Sequence, residues 1–529
     1  MTCRQRRGDT GVAHSDLPDV LIIILDAARA ENFSLYGYGQ NTTPHLSRYA
    51  DRLAVYRHGI SAAMWTLPST TGLFTGLYPS EHRLVIDGDR LSPAYRTLPE
   101  VMKAAGYATA KVTGQVPYVS DFSGLHRGFD HEYEPPPNLT QRLWRSYKRR
   151  KTAAAGADRQ EGLDLGLDLA AEARMHANGG RKRRLQYWMT GYFDSGAKSC
   201  FAETQRLFGQ TDPKSGRPLF CYMHLQETHA EYRPPHRYRT CFVPQELRSR
   251  NFATINQRPN PHDVGAVTMT EDEYRILTGL YDGCIAYLDE QIGRLLDQLA
   301  AQDPERFENM FVLIAADHGD CIGRHGILGH QFVCYDELIH IPWIVKWPAS
   351  VGITGAVDGL VQNVDVMPTL TELLDLPPVA DQGREACSFL GSPTRDLAYS
   401  EMLKPFGASA VKQGLHEKAP QYRRAVLSVR SRTHKLLVYS NEQPSEFYNV
   451  ANDPHETVNL LDSALGGGLV EQATAADCEA FMALKAAAEA RKARWLEAAQ
   501  EVDNRVFHGE AVEIDPEVEQ RLRALGYID

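Results

Sequence analysis

Three short apolar runs, each closed by ionisable residues, constrain this chain more than any other feature. Val20-Leu-Ile-Ile-Ile-Leu25 leads into Asp26-Ala-Ala-Arg29, Leu219-Phe-Cys-Tyr-Met-His-Leu225 into Gln226-Glu-Thr-His229, and Met310-Phe-Val-Leu-Ile-Ala-Ala316 into Asp317-His-Gly-Asp320. Apolar runs of this length, without alternation to a polar face, read as strands buried on both sides, as in a parallel sheet. Between them, from Glu271 to Ala300, Ile276, Leu277, Leu280, Tyr281 and Ile285 recur at helical spacing and continue through Leu288, Ile292 and Leu295. Strands alternating with helices predict an α/β/α sandwich with a mostly parallel central sheet.

Pro135-Pro-Pro137 closes the first βα block, and about 138–215 reads as a helical, partly flexible insertion. Two basic stretches in it, Arg142 to Lys151 and Arg181 to Arg184, read as a solvated helical face more readily than as a patch for an anionic polymer or membrane surface. Val364 to Leu376 is a strand end running into an amphipathic helix. Beyond about 395, Tyr422–Arg430, His434–Tyr439 and Glu446–Val450 predict a small antiparallel sheet, and 470–500 an Ala-rich helix. The expected division is a catalytic domain over 18–395 and a C-terminal α+β subdomain over 396–529.

The 57 basic and 67 acidic residues leave a net charge of −10, which argues against a nucleic-acid partner that binds through phosphate neutralisation. The longest aliphatic run, Val20 to Leu25, is far short of the ~20 residues that span a bilayer. No apolar secretion signal follows the basic start, and nine scattered Cys without a CxxC pair point to reduced thiols, so a cytoplasmic location is expected.

Ligands of doubly wound sheets bind beyond the carboxyl ends of the strands. Asp26, His229, Asp317 and His318 all follow apolar strands, so a shared rim is expected. Singly, an Asp there caps the next helix as readily as it binds a ligand; the Asp317-His318-Gly319 turn suits a divalent cation better. Thr66-Leu-Pro-Ser-Thr-Thr-Gly72 places hydroxyls ahead of a helical turn, either as a plain cap or where free N–H groups hold an anion. His224, inward on its strand, reads more readily as a satisfied core histidine than as a ligand. Arg29 and Asp320 lie near the rim as supports.

The ordered series Val20–Asp26, Tyr36-Gly-Tyr38, Thr43-Pro-His-Leu46, Thr66–His82, Gly128-Phe-Asp130, Tyr281-Asp282, Asp289-Glu290, Asp317-His-Gly319, Gly329-His330, Pro348, Phe447-Tyr448 through Asn452-Asp-Pro454, and Leu522 to Tyr527 resembles the sulfatase branch of the alkaline phosphatase superfamily. The resemblance runs over roughly 18–529 and implies an alkaline-phosphatase-like fold and metal-assisted displacement at a sulfate or phosphate centre. It implies that Asp26, Asp317 and His318 hold one divalent cation (Zn, Mn, Mg or Ca), with Thr66 at the nucleophile's position and also meeting the metal. It places His229 on a substrate-contacting residue and His330 on the residue that stabilises the leaving group.

This chain departs from that pattern at several points. Thr66 stands where most sulfatases carry the Cys or Ser that is oxidised to formylglycine, and Thr cannot become that aldehyde. A phospho-threonine can be resolved by a second in-line attack, so the substitution favours phosphorus. Thr70, on the substrate side, replaces a supporting Arg. Ala27 replaces a further metal-binding Asp, and Thr113-Gly114-Gln115 lacks a typical Lys. The expectation is a Thr-nucleophile hydrolase of phosphate, phosphonate or sulfate esters, acting on a small anionic ester. The alternatives are a phospho-group transferase to an alcohol and a non-catalytic anion-binding protein. Substrate identity and oligomeric state are left open.

Overall fold

The computed structural model describes residues 17–114, 116–136, 194–211, 216–380, 382–391, 395–404, 417, 419–462 and 467–507. The three apolar runs form adjacent strands at the centre of one sheet. In chain order its principal strands are β1 (Val20–Leu25), β2 (Ala54–Ile60), β3 (Ala108–Thr113), β4 (His131–Tyr133), β5 (Leu219–Leu225), β6 (Phe311–Ala315), β7 (Trp343–Lys346) and β8 (Gly355–Gln362). The spatial order is β8-β2-β7-β6-β1-β5-β3-β4, and the short strand His340–Ile341 pairs with β2. β7 runs antiparallel to both its neighbours, β2 and β6, while β6, β1, β5, β3 and β4 are parallel to one another. Every residue of β1, β5 and β6 is buried, as uninterrupted apolar strands require when helices cover both faces.

The covering helices include α1 (Thr66–Thr75), α2 (Ala197–Gln210), α3 (Glu271–Gln302) and α4 (Val366–Leu373). The start of α3 is a capping box in which Thr270 and Glu273 satisfy each other's backbone N–H. Its buried residues include the predicted Ile276, Leu277, Leu280, Tyr281, Ile285, Leu288, Ile292 and Leu295. Helix α2 alters the expected insertion: it buries Phe201 and Phe208 in the main core beside α3, so 197–210 is part of the helical layer. Both basic stretches, and the Leu522 to Tyr527 motif, lie outside the described residues.

A second, antiparallel sheet is built from β9 (Ala398–Met402), β10 (Val426–Arg430), β11 (Lys435–Tyr439) and β12 (Glu446–Tyr448). The predicted strands are joined by β9, which the sequence reading left unassigned. Helix α5 (Ala475–Phe507) packs on this sheet and seats Trp495, fully buried, among Leu427, Val429 and Phe447. No helix among the described residues is long and apolar enough to cross a membrane.

The second sheet grips the first through Asp336, whose carboxylate accepts from Arg430 at 2.8 Å and Lys435 at 2.9 Å. The next residue, Glu337, accepts from Arg29 at 2.8 Å. Arg29, expected near the rim, is therefore spent on bracing the turn after β1.

His82, in the short helix after α1, is buried, and its Nδ1 accepts the Leu84 N–H at 3.0 Å. Burial pushes its pKa down to about 3. Below about pH 6.5 the unfolded chain takes a proton at this position that the folded chain refuses, so stability rises with pH through this window and falls on acidification. We expect the unfolding free energy to drop by up to about 1.4 kcal/mol per pH unit below 6.5 from this one group. Denaturant titrations between pH 7 and 4.5 should show a shallower slope for His82→Gln; an unchanged slope refutes the assignment.

Candidate active site

The registers of the three central strands decide which side chains meet. Leu25 pairs with Leu225 and Ile24 with both His224 and Ala315, so Asp26 and Asp317 emerge level at the same end of neighbouring strands. Asp26 N–H donates to Leu225 O at 2.9 Å, and the Thr228 hydroxyl donates to Asp26 O at 2.7 Å. Ala27 then takes a left-handed φ of 63°, and in this turn its N–H meets Asp317 Oδ1 at 3.2 Å while its carbonyl accepts from Tyr281 at 2.8 Å.

Asp317 Oδ1 also accepts the His318 N–H at 2.9 Å, whereas Oδ2 takes no hydrogen bond and faces His318 Nε2 at 3.6 Å. His318 Nε2 lies 3.4 Å from Asp26 Oδ1 and 3.3 Å from Thr66 Oγ1. His318 Nδ1 is 2.7 Å from Gly319 O. A carbonyl only accepts, so Nδ1 carries the proton and Nε2 presents its lone pair inward. Burial, then His330, depress the His318 pKa well below the ordinary value, which keeps that lone pair available.

Asp26, Asp317 and His318 each bring one ligand atom within 4.8 Å of the others, all three residues being buried. A buried carboxylate oxygen without a donor costs about 1–3 kcal/mol or more, and a divalent cation among these atoms would offset that cost. The donor set of two carboxylates and a neutral imidazole fits such an ion. The three residues that the resemblance assigned to the metal therefore do come together.

Thr66 is the first residue of α1, but it is not the cap: Trp65 is, and it supplies no side-chain bond. The helix start is pinned to the Asp317 loop instead. Ser61 and Ser69 hydroxyls donate to Asp317 O at 2.5 and 2.6 Å, and Asn363 Nδ2 donates to Ser69 O at 2.9 Å. Sequence reasoning did not anticipate these three supports. Thr70, one turn on, is buried beside the Tyr222 hydroxyl.

The two remaining predicted histidines close the site. The rings of His330 and His318 are 4.6 Å apart, those of His330 and His229 4.9 Å, and those of His229 and His318 6.5 Å. His229 Nδ1 donates to Ala230 O at 2.7 Å, again leaving Nε2 as the unprotonated nitrogen of the neutral ring. Burial, with His330 adding to it, lowers the His229 pKa to about 4. His330 Nδ1 faces Asp320 Oδ1 at 3.4 Å, and Asp320 Oδ2 accepts from Tyr232 at 2.6 Å. Burial works against the Asp320 anion, but hydrogen bonding and charge from His330, with His229 and Tyr232, hold its pKa below the usual range. Tyr232 was not foreseen, since a lone Tyr in a loop carries no local pattern.

His224 departs from its sequence reading. It is fully buried and its Nδ1 meets the Tyr222 hydroxyl at 2.9 Å, but Nε2 has no hydrogen bond and faces the two carboxylates. It is only half satisfied, with Nε2 3.8 Å from Asp26 Oδ2 and 3.7 Å from Asp317 Oδ2.

Gly319 has no room for a side chain: a Cβ there would overlap Glu337 O and stand 3.0 Å from Arg29 Cγ, while Gly319 N–H donates to Leu338 O at 2.7 Å. Backbone must move to admit a methyl group, at a cost of about 1–3 kcal/mol. Gly319→Ala should lower the melting temperature and weaken metal binding together; a variant with wild-type melting and metal affinity refutes the close approach.

The model of the family described as Sulfatase matches residues 18–376, and that described as N-sulphoglucosamine sulphohydrolase, C-terminal, matches 323–474. An ulvan-active sulfatase of Formosa agariphila is 23% identical over 455 residues, 84% of this chain and 77% of that protein. The multifunctional alkaline phosphatase superfamily protein PehA of Trinickia caryophylli is 22% identical over 496 residues, 85% of this chain and 93% of its own length. Among solved structures, the phosphonate monoester hydrolase of Agrobacterium radiobacter superposes with a TM-score of 0.62 at 19% identity, covering 91% of this chain and 96% of that one. The fold is thus alkaline-phosphatase-like, with a smaller β-rich C-terminal subdomain.

Proposed function

The chain belongs to the sulfatase family of the alkaline phosphatase superfamily, and from that premise we propose that it is a metal-dependent ester hydrolase with Thr66 as nucleophile. The observation that carries this reading is Thr66 Oγ1 at 3.3 Å from His318 Nε2, at the start of a helix whose hydroxyl does no capping work. Asp26, Asp317 and His318 would hold the cation, which when bound supplies Lewis-acid polarisation and lowers the pKa of an adjacent hydroxyl.

The protein groups divide the remaining tasks. With the His318 Nε2 lone pair given to the cation, that ring would not act as a base for Thr66 3.3 Å away; the hydroxyl proton would pass to solvent and Thr66 would attack as the alkoxide. His229 meets the substrate's oxygens; an anion beside a buried imidazole favours the charged ring, which then donates from Nε2. His330, oriented by Asp320, delivers a proton to the departing oxygen, and the carboxylate stabilises the ring while it carries that proton. Thr70, buried beside the Tyr222 hydroxyl, lies at the base of the site. The Thr66 alkoxide displaces the alcohol that His330 protonates and forms a threonine ester; water then attacks that ester in line with Thr66, passes its proton to the now neutral His330, and Thr66 leaves as the alkoxide.

Charge narrows the substrate class. None of the residues gathered here is Lys or Arg, and Arg29 is held by Glu337. A singly charged ester, such as a phosphonate monoester, phosphate diester or sulfate ester, is better matched to that setting than a dianionic phosphate monoester. Thr66 lacks the route by which a formylglycine diol sheds sulfate, so phosphorus is the favoured centre. The relatives named above, a sulfatase and a phosphonate monoester hydrolase, support the same range. A cytoplasmic small-molecule ester completes the reading.

The test is a turnover panel of aryl sulfate, phosphate monoester, phosphate diester and phosphonate monoester with Zn, Mn, Mg or Ca supplied. The expected ranking is phosphonate monoester or phosphate diester above phosphate monoester by at least about tenfold, a difference of about 1.4 kcal/mol. A phosphate-monoester preference refutes the charge argument, and sulfate-selective turnover refutes the argument from Thr66.

A further inference from the structure

We infer that His224 is a fourth protein donor to the cation held by Asp26, Asp317 and His318, so that the ion is bound by two carboxylates and two imidazoles. The inference rests on the metal-dependent reading above. His224 is in register with Ile24 on the neighbouring parallel strand. Residues in register face the same side of a sheet, and that side recurs every second residue, so His224 stands one repeat beneath Asp26 and on its side. Tyr222, one repeat lower again, closes the site from below.

Asp26, Asp317 and His318 form the tight set, and His224 approaches it across the Oδ2 atoms of both carboxylates. Its Nε2 is 3.8 Å from Asp26 Oδ2 and 3.7 Å from Asp317 Oδ2. These separations are too long for hydrogen bonds. They resemble the 3.4 and 3.6 Å that His318 Nε2 keeps from the same two residues. Donors bound to one ion at ordinary bond lengths stand about 3.0–3.4 Å apart in a four- or five-coordinate shell, and the five-coordinate one keeps a position for Thr66.

The other ring nitrogen fits the same role. Nδ1 lies 2.9 Å from the Tyr222 hydroxyl. Donation of Nδ1–H there leaves the Nε2 lone pair aimed between the carboxylates, as Gly319 O does for His318. A histidine that only filled the core would have no reason to leave Nε2 without a hydrogen bond beside two acids, a cost of about 1–3 kcal/mol. With two imidazoles the donor set suits Zn or another first-row transition ion better than Ca or Mg, which take oxygen ligands.

The experiment is X-ray absorption on the full chain loaded with one equivalent of Zn, together with chelator-competition measurements of Zn affinity. Two imidazoles per ion are expected. His224→Ala should drop the count to one and weaken Zn binding by about 100-fold, the upper end of what loss of an outer-shell partner costs. Tyr222→Phe, which leaves both carboxylates in place, should weaken it by about tenfold. A single imidazole in the wild type overturns the inference, whatever the variants do, while leaving the metal-dependent reading intact. Unchanged affinity in a folded His224→Ala also overturns it. A wild type that binds no metal overturns both readings. Should His224→Ala fail to fold, the wild-type spectrum decides.

Discussion

Thr66→Ala is expected to lose turnover of every ester class by about 10⁴-fold or more, the scale on which enzymes respond to loss of a nucleophile, while remaining folded. The two halves of that expectation have separate causes. The hydroxyl faces His318 Nε2 at 3.3 Å, where no other described hydroxyl is placed, so nothing substitutes for it. Removing it costs the fold little, because Trp65 occupies the N-cap and the helix start is held by Ser61, Ser69 and Asn363 instead. Thr66→Ser keeps an oxygen in that position and should retain activity within about tenfold, an allowance of about 1.4 kcal/mol for the looser rotamer. Steady-state rates on the best ester of the panel, with circular dichroism as the fold control, check both variants. Residual turnover in a folded Thr66→Ala above about one per cent of wild type rules out Thr66 as nucleophile, since a one per cent residue is a loss of only about 2.7 kcal/mol.

Asp317→Asn should abolish metal retention, and activity with it. The substitution preserves Oδ1, which accepts from the Ala27 and His318 N–H groups, and replaces the inward Oδ2 by an amide that has neither charge nor lone pair to offer. Metal affinity should fall by at least about 100-fold, since even outer-shell partners are worth 10–100-fold. A thermal signature should accompany it. Metal at 100 times its dissociation constant stabilises the wild type by about 2.7 kcal/mol, and chelation should remove that increment. The melting temperature of Asp317→Asn should be insensitive to added metal. Stoichiometric metal on the purified variant, measured by atomic emission, sinks the assignment.

The site was legible to different degrees. Asp26, Asp317 and His318 were readable because each follows a run apolar enough to be a buried strand, and the end of such a strand is a defined place in a doubly wound sheet. His229 was placed at the rim in the same way, but its role, like the whole assignment of His330, drew on the resemblance, since a histidine in a loop has no local pattern of its own. His224 was misread for the opposite reason: a polar residue inside an apolar strand is usually satisfied locally, and Tyr222 does satisfy one of its nitrogens. What the other nitrogen faces depends on two strands more than 80 residues away in either direction. The capping interpretation of Thr66 failed in the same way, because the competing bonds come from Ser61, Asn363 and the Asp317 loop.

From the sequence alone came the α/β class, the central strands, the long helix from Glu271 to about Ala300, the antiparallel C-terminal sheet and the rim residues. Those features depend on local periodicity and on where apolar runs stop, and both are written in neighbouring residues. Tertiary structure alone decided that α2 belongs to the helical layer, that Arg29 braces a turn, that His224 faces two carboxylates and that the second sheet holds the site's frame through Asp336, Arg430 and Lys435. These are contacts between segments remote in sequence. Strand register and the closing of buried charge pairs set them, and neither has a local signature because each partner alone is an ordinary polar residue.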